Sequence, residues 1–207
     1  MKYFLFSSCL LWAACSSHYK TLRPVETDQK CLDSIRPQGI VTAWFNASVD
    51  VTGRHISGLL LIKNMPDSSY RVVFMNEAGI TFFDFEFRND GTFELKKILS
   101  RLDNKQVINT LKIDFSLLLG LYFKDGIQSW RHDEEIYYGA KQGRDMFYFI
   151  TDDRCSRASR FEIGSGRKRK VSIEFKGEEL RKPEEVRIKH YTFDMVIELK
   201  KIAAGHG

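Results

Sequence analysis

The sequence predicts an α+β protein made mainly of antiparallel β-strands, in which one curved sheet wraps around a helical insert. From Gly39 onward, apolar and polar residues alternate with a period of two, which is typical of strands with one buried face. Between residues 93 and 121 the apolar residues recur instead every three or four positions, which indicates helices. The period of two then resumes and continues almost to the end of the chain.

Four strands are predicted before the insert, and they span residues 40–51, 56–63, 70–75 and 80–88. The fourth places Phe83, Phe85 and Phe87 on one face. Residues 76–79, between the third and fourth strands, have the composition of a tight hairpin in which Gly79 supplies the positive φ angle. We therefore expect the four strands to form a meander.

The insert is predicted to contain two helices, Phe93–Leu102 and Gln106–Leu121, with Thr92 as a candidate N-cap of the first. A single helical turn is also expected near Gln29–Ile35. Six further strands are predicted after the insert, at residues 135–139, 144–151, 159–163, 170–176, 185–189 and 192–201.

Aromatic content is the unusual feature of the composition: aromatic residues make up 13% of the 207 residues, and 16 of them are Phe. A sheet with one long apolar face must cover that face, and the insert is too short to fill a strongly curved sheet solidly. We therefore expect a partly vacant concavity, which suits an acyl chain because each buried methylene contributes about 0.8 kcal/mol. For each candidate lining residue of this concavity, a place in a packed core is the alternative. Because strand residues alternate between faces, only one of Trp44 and Phe45 can face inward, and the sequence leaves open which. These candidates are Trp44, Phe45, Leu60, Phe74, Phe83, Phe85, Phe147, Phe149 and Met195.

The N-terminus has the pattern of an export signal. Lys2 precedes the short apolar stretch 3–14, which is too short to span a bilayer. Ala13-Ala14-Cys15 resembles the lipobox of bacterial lipoproteins, which predicts a signal peptide at 1–14, acylation of Cys15, a tether at 15–37 and one domain at 38–202. An ordinary signal cut near Ala14 is the alternative. Because no Asp follows the cysteine, we expect delivery to the periplasm-facing leaflet of the outer membrane.

Of two further cysteines, Cys31 lies in the predicted tether and Cys155 lies in the predicted domain. In an oxidising compartment two thiols can form a disulfide. Buried free thiols are the alternative.

The layout resembles the LolA/LolB family of lipoprotein carriers and receptors. The local match runs from Leu60 to Phe87 (LLIKNMPDSSYRVVFMNEAGITFFDFEF), with Tyr70-Arg71 opening one strand and Asn76 and Gly79 in the hairpin that follows. Phe115–Gly120 is similar to the family's helix that ends in Leu-Gly, and Pro183 precedes two closing strands as in the family.

This resemblance implies an open half-barrel of about ten to eleven strands with a helical lid, and no catalysis or cofactor. It implies a LolB-like receptor that takes the acyl chains of client lipoproteins from a LolA-like periplasmic carrier and passes them to the outer membrane. One departure concerns the hairpin tip, where the receptor has an exposed leucine and this chain has Ala78 beside Glu77. Alanine is too small to insert usefully into a bilayer, so the release step differs or is absent.

Other chemistry finds little support in the sequence. His132 lies beside three acidic residues, but the five histidines show no metal-ligand spacing. The run Gly164–Lys170 has the composition of a phosphate loop without its pattern, so we expect a solvated hairpin, with contact to anionic headgroups as the alternative. The net charge is +5, but acidic residues are interspersed with the basic ones along the whole chain. No nucleic-acid partner is therefore expected. Two other functions stay open: an assembly lipoprotein that binds envelope proteins, and a carrier of another hydrophobic ligand such as a glycolipid.

Overall fold

A computed structural model describes residues 19–123, 126–156, 158–166 and 168–203. The predicted signal peptide 1–14 and the candidate acylation site Cys15 lie outside these residues. The described helices are α1 (Gln29–Ile35), a 3-10 turn (Ser100–Leu102) and α2 (Lys105–Leu118). The described strands are β1 (Arg23–Val25), β2 (Ala43–Val51), β3 (Arg54–Asn64), β4 (Tyr70–Met75), β5 (Thr81–Phe87), β6 (Phe93–Ile98), β7 (Gln128–His132), β8 (Glu135–Gln142), β9 (Asp145–Asp152), β10 (Ala158–Ser165), β11 (Lys168–Lys176), β12 (Glu185–His190) and β13 (Met195–Lys201).

All thirteen described strands belong to one sheet, in the order β1-β7-β8-β9-β10-β11-β12-β13-β2-β3-β4-β5-β6. Every neighbouring pair is antiparallel, and β1 and β6 form the two edges of a sheet that does not close. The predicted meander of four strands is confirmed as β2–β5. The predicted number of ten to eleven strands is too low, because β1, β6 and β7 were not anticipated.

Helix α2 shows how strongly the sheet is curled. Its Phe115 ring lies 5.7 Å from the ring of Phe83 on β5, while the adjacent Asp114 hydrogen-bonds to His190 on β12. In the strand order, β12 and β5 are five steps apart, which would be about 24 Å across a flat sheet at about 4.8 Å per step. Two consecutive helical residues can contact both strands only because the sheet bends around the helix. The α+β architecture with one curled sheet and a helical cover is therefore as predicted.

Strand β6 replaces the helix that the spacing predicted at Phe93–Leu102. Phe93 and Leu95 pair with Phe87 and Phe85 on β5, and a β-bulge then shifts the register so that Ile98 pairs with Phe83. The bulge turns a spacing of two into a spacing of three, which in the sequence looks like helical periodicity. The second predicted helix is confirmed as α2, which is preceded by Asn104 as its N-cap.

The segment predicted as a tether is built into the domain from residue 19 to residue 37. Cys31, Leu32 and Ile35 on α1 are buried in the main core, and Asp28 caps the helix by accepting a hydrogen bond from the Cys31 amide at 3.0 Å. The structure pairs Cys31 with Cys155 in a disulfide, which ties α1 to the connection between β9 and β10.

The disulfide generates the first testable expectation. Replacing both Cys31 and Cys155 by Ala should lower the free energy of unfolding by about 3 kcal/mol, because the bridge closes a long loop in the unfolded chain. Urea denaturation of both proteins measures this difference. A reductant should lower the stability of the parent to that of the variant and leave the variant unchanged; a parent that is insensitive to reductant would contradict the pairing.

A second expectation concerns Gly120, just after α2. It has a φ angle of +71°, and an added Cβ would lie 2.7 Å from the Pro37 Cβ. We expect Gly120→Ala to lower the free energy of unfolding by about 2–3 kcal/mol, since backbone strain and a steric clash add. Gly79→Ala is the matched control, because Gly79 has a similar φ angle of +80° and open space around it. Equal losses in the two variants would show that the Pro37 contact is not tight.

Candidate functional site

The inner face of the curled sheet is the candidate site, and eight of the nine predicted lining residues lie on it. All eight are buried in one apolar cluster: Phe45, Leu60, Phe74, Phe83, Phe85, Phe147, Phe149 and Met195. Trp44 is the exception, since it is 41% exposed on the outer face. Successive residues of a strand point to opposite faces, so an inward Phe45 requires an outward Trp44.

The interior is filled rather than vacant, which corrects the expected concavity. Ring centroids of Phe83 and Phe85 are 4.5 Å apart, and Phe115 of α2 packs on the same group. On the other half of the sheet, Phe123 lies 4.9 Å from Phe149. The filling is greater than the sequence suggests, because α1, in the predicted tether, and Phe123, after α2, also pack inside.

Helix α2 covers this face unevenly along its length. From Leu111 to Leu118 most of its side chains are buried, whereas residues 105–110 are exposed or only half-buried. The buried end is clamped: Gly120 contacts Pro37, and the main-chain oxygen of Leu119 lies against Gly39. The helix is therefore fixed at its C-terminal end and packed shallowly at its N-terminal end.

A buried polar pair links α2 to the sheet. His190 Nε2 on β12 lies 2.9 Å from Asp114 Oδ2, and both side chains are almost fully buried. Burial raises the pKa of the Asp114 carboxyl, and the hydrogen bond from His190 opposes that rise. The other carboxyl oxygen, Oδ1, has no hydrogen-bond partner among the described residues. Removing a carboxyl group and an imidazole from water is unfavourable, and this cost offsets much of what their hydrogen bond contributes. The pair therefore adds little to the stability of the fold.

The spacing of the histidines in the sequence did not predict this pair. A signal was nevertheless present in the helix. Asp114 follows Leu111 by three residues and precedes Leu118 by four, so it lies on the apolar stripe of α2. A carboxylate at such a position must find a partner across the interface.

A second polar cluster lies on the outer face, where the N-terminal segment crosses the sheet. Glu162 is completely buried and accepts hydrogen bonds from Tyr19 Oη at 2.8 Å and Arg160 Nε at 2.7 Å. Arg169 lies 3.1 Å from the same carboxylate. Burial raises the pKa of the Tyr19 hydroxyl above its usual range, and the adjacent Glu162 adds to the effect. This network fixes the chain at Tyr19 against β10.

The remaining predicted residues lie apart from both clusters. Glu77 and Ala78 are exposed at the tip between β4 and β5, where the Asn76 side chain accepts a hydrogen bond from the Ile80 amide at 2.8 Å. His132 lies 3.6 Å from Asp133 in the turn after β7. No group of three potential metal ligands occurs in the part of the chain that the structure describes. Within the same residues, no helix is long and apolar enough to cross a bilayer.

No protein-family profile matches the sequence, and no curated protein is significantly similar to it. Among solved structures, the chain is similar to a domain from Vibrio parahaemolyticus that is described provisionally as an outer membrane lipoprotein-sorting protein. The identity is 7% and the TM-score 0.47, over 84% of this chain and 87% of that one. It is also similar to a DUF1329 family protein from Desulfovibrio piger, with 8% identity and a TM-score of 0.39, over 84% and 88% of the two chains. At these TM-scores the likeness does not decide the function, which rests on the side chains of this chain.

Proposed function

We propose that this protein is a non-enzymatic lipoprotein that binds acyl chains beneath helix α2 and takes part in lipoprotein handling. The observation that carries the proposal is the cover of the inner face. The movable part of this cover is the amphipathic helix α2, clamped at one end, shallow at the other, and linked to β12 by one buried polar pair. Because α2 is not part of the sheet, it can move without breaking any strand pairing.

An acyl chain would enter by taking the place of the apolar side chains that α2 inserts. The surface beneath the helix is aromatic and aliphatic, with Phe83 in contact with Phe115 of the cover and Phe85 stacked on Phe83. Burying roughly ten methylenes contributes about 8 kcal/mol, which is comparable to the burial free energy that the buried apolar side chains of α2 lose on undocking, at about 1.5–3 kcal/mol each. The filled interior is then the closed state of a site that opens for its ligand.

In this proposal the cargo is the acyl chain of a client lipoprotein that arrives on a LolA-like periplasmic carrier. An acyl group on Cys15 holds the protein at the periplasmic leaflet of the outer membrane, where it raises the effective concentration of the receptor. Transfer runs downhill without nucleotide, so the site must bind the cargo more tightly than the carrier does and less tightly than the bilayer does. Ala78 is too small to drive release, so other groups must contact the membrane.

Binding of an apolar probe tests the proposal. The native protein should bind N-phenyl-1-naphthylamine stoichiometrically, because the inner face becomes accessible when α2 lifts, and a diacylated lipopeptide should displace the probe. Fluorescence titration measures both steps. Trp44→Ser is the control, since Trp44 lies on the outer face and its loss should leave probe affinity unchanged. If that variant abolished binding, the probe would occupy the outer face instead.

Two changes to the buried Asp114–His190 pair should shift the rate of probe uptake in opposite directions. His190→Ala leaves the Asp114 carboxylate buried without its partner, which destabilises the closed lid by about 3–5 kcal/mol and should speed probe uptake. Replacing Asp114 by Leu together with His190 by Phe substitutes an apolar contact and should slow uptake. Stopped-flow fluorescence measures the rates.

The chain offers a matched control for this test. His55 and Asp50 form a second His–Asp pair, 2.7 Å apart but exposed on β2 and β3. His55→Ala should leave the uptake rate as in the parent. Equal rates in the parent and both buried-pair variants would show that α2 does not gate the site.

The filled interior specifically favours a second function, that of an assembly lipoprotein that binds envelope proteins through its surface. Such a protein should not bind the probe, either as the parent or as His190→Ala. A glycolipid carrier would bind the probe but would release it to glycolipid in preference to lipopeptide. Depletion in cells also separates these functions, because only loss of a lipoprotein receptor should strand lipoproteins short of the outer membrane.

A further inference from the structure

Five turns lie together at one end of the sheet, because hairpins in an antiparallel sheet alternate between its two ends. We call this end the hairpin rim. Main-chain hydrogen bonds join neighbouring segments at this end, from the Thr52 amide to Asp194 at 3.0 Å and from the Tyr191 amide to Lys170, near the start of β11, at 2.9 Å. The rim consists of residues 51–54, 75–81, 142–145, 165–166, 168 and 190–195.

The rim carries an unusual share of exposed apolar side chains. Six large hydrophobic side chains are exposed in the described residues, and three of them are here: Ile80 at 53%, Tyr191 at 44% and Phe193 at 42%. The Phe193 ring packs on the buried His190 ring, with centroids 4.6 Å apart, and it is nevertheless 42% exposed to solvent. Exposed apolar groups gathered on turns indicate a contact surface.

Basic side chains lie beside Tyr191. The Tyr191 ring lies 5.2 Å from Lys189 Nζ and 5.5 Å from the Arg169 guanidinium. Exposed acidic residues on or beside the rim are fewer, namely Asp50, Glu77 and Asp194, while Asp145 is paired with Lys170 at 2.8 Å. The exposed basic residues on or beside the rim are Arg54, Lys141, Arg144, Lys168 and Lys189.

The N-terminal segment reaches the outer face close to the rim. The Tyr19 ring lies directly over Gly164, one residue before the turn between β10 and β11. Cys15 is four residues earlier in the sequence, a distance that an extended chain spans in at most about 14 Å. An acyl anchor on Cys15 would therefore hold this end of the domain near the bilayer.

We propose that the hairpin rim docks on the surface of an anionic phospholipid bilayer. Tyr191, Phe193 and Ile80 enter the headgroup region, and the exposed Lys and Arg side chains on or beside the rim contact the phosphates. Aromatic rings with polar ends favour this depth, and basic residues are attracted to anionic lipid. Charge complementarity selects the bilayer over an apolar protein partner. The docking does not depend on acyl-chain binding under α2.

Vesicle flotation tests the proposal. Every described helix and strand lies after residue 18, so a chain that begins at Ser16 keeps the whole domain and lacks the anchor that would mask weaker docking. Vesicles of phosphatidylcholine with about one third phosphatidylglycerol are compared with vesicles of phosphatidylcholine alone. The parent should float with the anionic vesicles, and added salt should weaken its binding.

Two variants remove the two kinds of contact. Arg144→Gln with Lys168→Gln should weaken binding on the order of tenfold, since each exposed cation contributes several-fold near an anionic surface. Tyr191→Ser with Phe193→Ser should weaken it in the same direction. Because Phe193 contacts His190, circular dichroism checks the fold of the second variant, and the charge variant decides the outcome if that fold is lost.

Matched controls lie away from the rim. Lys63→Gln removes an exposed cation at the opposite end of β3, and Trp44→Ser removes an exposed aromatic ring near the start of β2. Both should bind the anionic vesicles as the parent does. A parent that does not float, or controls that lose as much binding as the rim variants, would overturn the proposal. Loss of probe binding with intact flotation would count against acyl handling alone.

Discussion

The structure depends on one requirement, which is that an unclosed sheet must cover its apolar inner face with something other than itself. A closed barrel would meet this requirement with side chains from opposite strands. Here the edges β1 and β6 are not joined, and α2 provides the cover by contacting β5 through Phe115 and β12 through Asp114. The curl of the sheet and the position of the helix are therefore two results of the same burial.

The cover is not uniformly stable, and its least stable contact is the buried polar pair between Asp114 and His190. The carboxyl group of Asp114 and the imidazole of His190 are taken from water to make one hydrogen bond, and one carboxyl oxygen gains no partner among the described residues. An apolar pair of similar size would hold the helix at least as firmly. With a polar pair at this position, the free-energy difference between the closed and open states of α2 is smaller than with an apolar pair. Such a difference suits a lid that opens better than a permanent core.

Local periodicity predicted most of the strands and failed where distant contacts decide the structure. The alternation in β2–β5 and β8–β13 was sufficient, because alternate residues of each strand face the apolar interior. The strand at Phe93–Ile98 was mistaken for a helix, because a bulge opposite β5 lengthens its spacing. Inner residues such as Phe83 and Phe149 were predicted, but their close packing was not. That packing requires α1 and Phe123, whose positions depend on a disulfide and on contacts far along the chain.

The fixed and shallow ends of α2 lie at different ends of the sheet, and this difference sets a direction. The C-terminal end packs on Pro37 and on Gly39 beside Tyr70, which begins β4 at the end opposite the hairpin rim. The N-terminal end follows the 3-10 turn after β6, whose last residues lie at the rim, where the Leu99 amide bonds to Phe82. A helix clamped in this way opens first at the rim. If the rim rests on a bilayer, an acyl chain leaving the inner face enters lipid directly, and its methylenes need never cross water.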